Sequence, residues 1–161
     1  MQIKEISKEK ATVWFSRDEL TFMIAAAERA LRQIDPDEFP IRTGRTVGYA
    51  NAILAELYAA IGVKKDAHPH QVDDQAYGNS NDSEASRRLR VTIRVDLIAD
   101  DKALVSLSDW ELCFLNNAIN EAIHGIRGVE EFERSSGKTS KYGRRLMQQL
   151  AAANDKVEAL S

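Results

Sequence analysis

The amino-acid sequence predicts an α+β protein made by tandem duplication of a ββαα unit, with a four-stranded antiparallel sheet and helices packed on one of its faces. Three observations lead there. The chain repeats itself, each repeat opens with apolar residues alternating at a period of two, and each alternation ends at a serine capping box followed by apolar residues at helical spacing.

The repeat is plainest when Phe15-Ser-Arg-Asp-Glu-Leu-Thr-Phe-Met23 is set beside Leu107-Ser-Asp-Trp-Glu-Leu-Cys-Phe-Leu115. At an offset of 92 (108 − 16), Ser16, Glu19, Leu20 and Phe22 coincide with Ser108, Glu111, Leu112 and Phe114. The same offset pairs Val13 with Val105 and Ile34 with Ile126. One inserted residue later, an offset of 93 pairs Phe39 with Phe132, Gly44 with Gly137, Tyr49 with Tyr142 and Leu57 with Leu150.

Within the second copy, Leu89, Val91, Ile93, Val95 and Leu97 alternate with Arg90, Thr92, Arg94 and Asp96, which predicts a strand with one buried and one wet face. Ala99-Asp-Asp-Lys102 turns the chain, and Ala103, Val105 and Leu107 point inward on the return. The first copy has Ser7-Lys-Glu-Lys10 as its turn and Ala11, Val13 and Phe15 inward. Ser16 with Glu19, and Ser108 with Glu111, are placed to satisfy free amides at a helix start. Behind them Leu20, Met23, Ala27, Ala30 and Ile34, and Leu112, Leu115, Ile119, Ala122 and Ile126, each mark one face of a helix. A second helix per copy carries Tyr49, Ile53, Leu57 and Ala60, or Tyr142, Leu146, Leu150 and Ala153. The last helix is expected to fray near Asn154, with Val157 and Leu160 as means of prolonging it.

The organisation is therefore a first repeat over 1–61, a polar linker over 62–87 and a second repeat over 88–161. A two-stranded hairpin is marginal alone, so joining both hairpins in one sheet around a shared core is more economical than two separate units.

Composition narrows the class. With 161 residues, 43% of them hydrophobic, the chain can bury a core, and a net charge of −3 makes nucleic acid an unlikely general partner. The single cysteine, Cys113, fits a reducing cytoplasm. The first residues do not read as a signal peptide and no apolar run has membrane-spanning length, so a cytoplasmic protein without membrane contact is expected.

Chemistry-bearing motifs are few. Gly137-Lys138-Thr139 resembles the end of a phosphate-binding loop, but Phe132 stands where its first glycine belongs, and the first copy has Gly44-Arg45-Thr46 in the same place. A structural joint is the better reading, with Phe39 and Phe132 as plugs and the glycines permitting a tight bend. His68 and His70 with Asp73 and Asp74 have metal-ligand types without ligand spacing. Cys113 is expected to pack in its helix, and His124 to face the helix dipole. No catalytic, cofactor or metal residue is assigned, and a non-enzyme is expected.

Two surfaces stand out as partner-binding candidates. Asn116, Asn117 and Asn120 sit within a helix that would be more stable without them, either bonded to a neighbouring loop or forming a polar contact surface. If Val13 and Phe15 point inward, Trp14 points out with Arg90 and Arg94, and an exposed tryptophan beside arginines suits partner binding. Cover by the linker, or by a second subunit in a homodimer, is the alternative for Trp14. Trp110 is a third exposed aromatic candidate.

The segment Leu107-Ser-Asp-Trp-Glu-Leu-Cys-Phe-Leu-Asn-Asn-Ala-Ile-Asn-Glu-Ala-Ile-His-Gly125 resembles short bacterial proteins that share a Leu-Asn-Asn-Ala-x-Asn-Glu core. Some of these are similar to cytoplasmic immunity proteins of contact-dependent toxin systems. The first copy departs from the pattern, with Ile24, Ala25 and Glu28 at the asparagine positions. The resemblance implies a protein partner, a toxin domain that this chain would occlude. Acidic balance would suit a basic nuclease. A nucleic-acid-binding or regulatory domain using the outer sheet face is the competing expectation, and a hydrolase centred on the His68–Asp74 loop is a third.

Overall fold

A computed structural model of the chain describes residues 1–63 and 92–160. Most of the 62–87 linker, the His68, His70, Asp73 and Asp74 group, and Leu89, Arg90 and Val91 lie outside the described residues. Strands β1 (Gln2–Ile6) and β2 (Lys10–Ser16) form one hairpin, and β3 (Arg94–Ala99) and β4 (Lys102–Ser108) the other. Pairing of β2 with β4 joins them into an antiparallel sheet of order β1-β2-β4-β3. Ala11, Val13, Phe15, Ala103, Val105 and Leu107 are fully buried on the inward face, as the alternation requires.

The central register is self-complementary. Val13 pairs with Val105, Lys10 with Ser108 and Ser16 with Lys102. Since 13 + 92 = 105, 10 + 92 = 102 and 16 + 92 = 108, the register is that of a two-fold axis through the Val13–Val105 pair. Both outer strands are irregular at matching places, between Ile3 and Glu5 and between Val95 and Leu97. The extra residue in β3 reverses the alternation beyond it. Leu97 consequently stands opposite Leu104 on the outer face and is 53% exposed, where unbroken alternation places it inward.

Six helices are described: α1 (Arg17–Gln33), α2 (Phe39–Thr43), α3 (Val47–Ala60), α4 (Asp109–Asn120), α5 (Val129–Ser136) and α6 (Ser140–Glu158). Both capping boxes form: Ser16 accepts from the Glu19 amide at 3.2 Å and Ser108 from the Glu111 amide at 3.4 Å, while each glutamate accepts from its serine's amide. The last turn after α4, Glu121–Gly125, is π-helical rather than a continuation of the α-helix. The joints expected to be bends contain the short helices α2 and α5, so each half is two strands and three helices. Helix α6 does not fray at Asn154. It runs to Glu158 because Val157 is 1% exposed, on the buried face four residues after Ala153, while Leu160 is exposed.

The helices pack on the sheet's inward face, and each half reaches into the other. Helix α3 lies along α1 and touches β3, whereas α6 lies along α4 and touches β1 and β2. Buried side chains from Ala11 to Val157 belong to a single hydrophobic cluster. Phe39 and Phe132 are both buried in it, and Gly44 and Gly137, with φ of 78° and 66°, supply the left-handed turns that follow them.

Glu111 does more than cap. Its fully buried carboxylate accepts from the Ile93 amide at 2.6 Å, the Ser108 amide at 2.7 Å, and the Thr92 amide and hydroxyl. This clamp fixes where the chain enters β3. At the corresponding place in the first half, Glu19 accepts from Ser16 and from the Met1 amino group.

Candidate functional site

No described helix covers the outer face of the sheet, and the register shows what lies there. One row across the four strands is Gln2, Trp14, Leu104 and Leu97; its two-fold counterpart is Arg94, Ser106, Thr12 and Glu5. The first row is apolar. Leu104 is 5% exposed, Trp14 is half-buried with the Lys102 ammonium 5.0 Å from its ring centre, and Leu97 is open. The second row is a polar chain. Ser106 Oγ donates to Asp96 Oδ2 at 2.6 Å, which commits its only proton, so Thr12 Oγ1 donates to Ser106 at 2.9 Å. Arg94 Nε pairs with Asp96 Oδ1 at 2.8 Å and its side chain remains largely exposed.

Trp14 therefore points outward without standing free, its ring half-buried against its own sheet and beside Lys102 rather than fully exposed. Arg94 shares the face but lies in the opposite row. The sequence reading missed Asp96, Lys102, Leu104 and Ser106. The available signal was Leu104, an apolar residue at an outward position of a central strand. Because Ser106 is 2% exposed, its hydroxyl bridges strands and does not face a reactant.

The asparagines divide. Asn117 Nδ2 donates to the Thr43 carbonyl at the end of α2 at 3.2 Å. Among the described residues it alone of the three bonds to the neighbouring joint, one of the two roles expected for all three. Asn116 Oδ1 is buried without a hydrogen-bond partner among the described residues, and Asn120 is exposed. Cys113 is exposed on the same helix, not packed in it, and sits 3.7 Å from Asn117 Nδ2. His124 is exposed in the π-helical turn.

Trp110, 42% exposed, belongs to a latch. The Arg45 guanidinium lies 4.0 Å from its ring centre and 5.2 Å from that of Tyr49. Burial, and then the nearby Glu111 carboxylate, hold the Tyr49 hydroxyl well above its ordinary ionisation range. At the equivalent place in the second half, Lys138 pairs with Asp18 at 2.5 Å and lies 5.4 Å from the Tyr142 ring centre. The Gly-basic-Thr motifs are thus fasteners that tie each joint to the first helix of the other half.

A second pair of contacts does the same. Arg42 reaches from the first joint to Glu121 and to the Gly125 carbonyl. Arg29, at the position equivalent to Glu121, is 4% exposed and donates to the carbonyls of Arg127 and Gly128 at 2.8 and 2.9 Å.

Among the described residues, no three of His, Cys, Asp and Glu gather to hold a metal, and no helix is long and apolar enough to cross a membrane. A cleft of about 20 Å³ beside Leu20, Ala60, Ile61 and Ile98 has room for no more than one or two water molecules. Comparison with protein-family models, with curated proteins and with solved structures finds no match to this chain.

Proposed function

We propose that the protein is a non-enzymatic, cytoplasmic binding protein that occludes a protein partner with the outer face of its sheet, as an immunity protein occludes a toxin domain. The observation that carries this reading is the apolar row Trp14–Leu104–Leu97 on a sheet face without a described helix. An aromatic and aliphatic centre with a charged rim, here Lys102, Arg94 and Asp96, is the usual composition of a protein interface. The Asn116–Asn120 face of α4 adjoins the first joint through Asn117 and belongs to the helix layer on the opposite side of the sheet.

The same face is poorly suited to nucleic acid, because Arg94 is engaged by Asp96 and Trp14 is half-buried. The test is affinity capture from the native cell with wild-type protein and with Leu97→Asp. One stoichiometric partner, lost with the variant and detoxified by the wild-type protein, supports the reading. No partner, or equal capture by both, overturns it. Sedimentation of the purified protein separates a hetero-partner from a second copy on the same face.

A further inference from the structure

We propose that the exposed face running from α5 into α6 binds the phosphodiester backbone of nucleic acid without reading its sequence, independently of the outer sheet face. Arg134, Lys138, Lys141, Arg144 and Arg145 supply five cations, and no Asp or Glu occurs from Arg134 to Asn154. Arg134, Lys141, Arg144 and Arg145 are exposed and make no ion pair among the described residues. Lys141, Arg144 and Arg145 lie at i, i+3 and i+4, on one side of α6. The carboxylates of α5, Glu130, Glu131 and Glu133, precede the cations: Glu133 accepts from the Ser140 amide at 2.6 Å and lies within the field of Arg144, while Asp18 holds Lys138.

The fold does not need this charge. At the equivalent positions, 93 residues earlier, the first half has Ile41, Arg45, Gly48, Asn51 and Ala52, so one cation of five has a charged counterpart. The arrangement also works against local stability. Lys141 stands in the first turn of α6, where the macrodipole disfavours a cation and no acidic residue offsets it, and Lys141 and Arg145 repel at i,i+4. Subtracting the five cations from the net charge of −3 leaves −8 on the rest of the chain, which confines a polyanion to this face.

Two features favour phosphate over an acidic protein. Guanidinium forks and lysines beside the exposed Thr139 hydroxyl are phosphate-contacting groups, whereas the Ser135 hydroxyl is committed to the Phe132 carbonyl at 3.1 Å. Among the described residues the large exposed apolar side chains, Ile41, Val63, Leu97, Ile98, Trp110 and Leu160, lie outside Arg134–Arg145, and Tyr142 within it is half-buried edge-on against Phe22. The face therefore offers neither a hydrophobic anchor for a protein nor an open aromatic platform for bases.

The test is fluorescence anisotropy of the full chain with a labelled duplex DNA or a labelled single-stranded RNA, each of about 20 nucleotides per strand, between 50 and 200 mM salt. With about four phosphates neutralised, duplex affinity should fall about a hundredfold over that range. Arg144→Ala/Arg145→Ala should lower affinity at least tenfold and flatten the salt slope by about two contacts, with an unchanged circular dichroism spectrum, while Arg32→Ala should bind as the wild type does. The probe bound more tightly identifies DNA or RNA as the source. Absence of binding to both at 50 mM salt, or unchanged binding by the double variant, overturns the proposal. So does displacement by poly-L-glutamate as readily as by unlabelled nucleic acid, which would make the partner an acidic protein.

Discussion

The joint at residues 34–46 is held by α4, and the joint at residues 126–139 is held by α1, at corresponding points with different chemistry. Where Arg45 lies over Trp110, Lys138 pairs with Asp18. Where Glu121 receives an arginine from the opposite joint, Arg29 sends one out to backbone carbonyls. The charge at that buried position is reversed, yet each joint stays closed on the other half. The fold thus requires that each joint be fastened and is indifferent to whether a ring, a carboxylate or a carbonyl does it.

The clamp glutamates give the largest expected difference between the halves. Glu111→Ala leaves the Ser108, Thr92 and Ile93 amides without their acceptor in a buried site, at a cost of about 3–4 kcal/mol. Glu19→Ala loses the Ser16 cap and the pair with the Met1 amino group, about 2 kcal/mol. Urea denaturation of both variants reads the difference, and equal losses would mean that the entry into β3 does not depend on Glu111.

The buried latches come next. Arg29→Met strips two carbonyls of a charged donor and should cost about 2–3 kcal/mol, whereas Glu121→Gln keeps a hydrogen-bonding group for the half-exposed Arg42 and should cost about 1 kcal/mol. A reversed order would show that Glu121, not Arg29, is the principal fastening. At the surface, Trp110→Ala should cost about 1 kcal/mol at any salt concentration. Asp18→Asn should cost less than about 0.5 kcal/mol, and nothing at high salt, since its pair with Lys138 is exposed. Thermal melts at low and high salt distinguish the two.

A pH dependence is expected as well. Burial, with the Glu19 and Asp18 carboxylates nearby, pushes the Tyr142 hydroxyl from 10.0 up to about 12. A hydroxyl that keeps its proton longer in the folded state lends stability that is complete below pH 10 and drains away as the pH rises towards 12. Stability should therefore decline over that interval, and less steeply in Tyr142→Phe. Tyrosinate absorbance across the titration checks the same point.

What was legible in the sequence was local or periodic. The capping boxes at Ser16 and Ser108 span three residues, and the apolar faces of α1, α3, α4 and α6 recur at fixed intervals, so both could be read without knowing the tertiary structure. The antiparallel sheet followed from alternation and from the need of two hairpins for each other. The fate of Leu97 was not legible, because a single bulged residue leaves no mark in composition while inverting every side chain beyond it. Nor were the latches: Arg42 and Glu121 are 79 residues apart and Lys138 and Asp18 are 120 apart, and no local pattern announces such pairs. Trp14 was placed on the correct face, but its cross-strand partner Leu104 and the Lys102 ammonium beside its ring belong to the other half.

The register of Val13 against Val105 has a further consequence when viewed as an assembly. An interface in which each residue meets the counterpart of its own mirror position is isologous, the geometry by which two identical subunits form a closed dimer. Here that geometry lies within one chain. Two chains that opened between β2 and β4 and exchanged halves would restore every described strand pair and all four fastenings between the halves. Such an exchange would be opposed by the entropy of joining two chains rather than by the loss of a described contact, so it would gain ground as protein concentration rises.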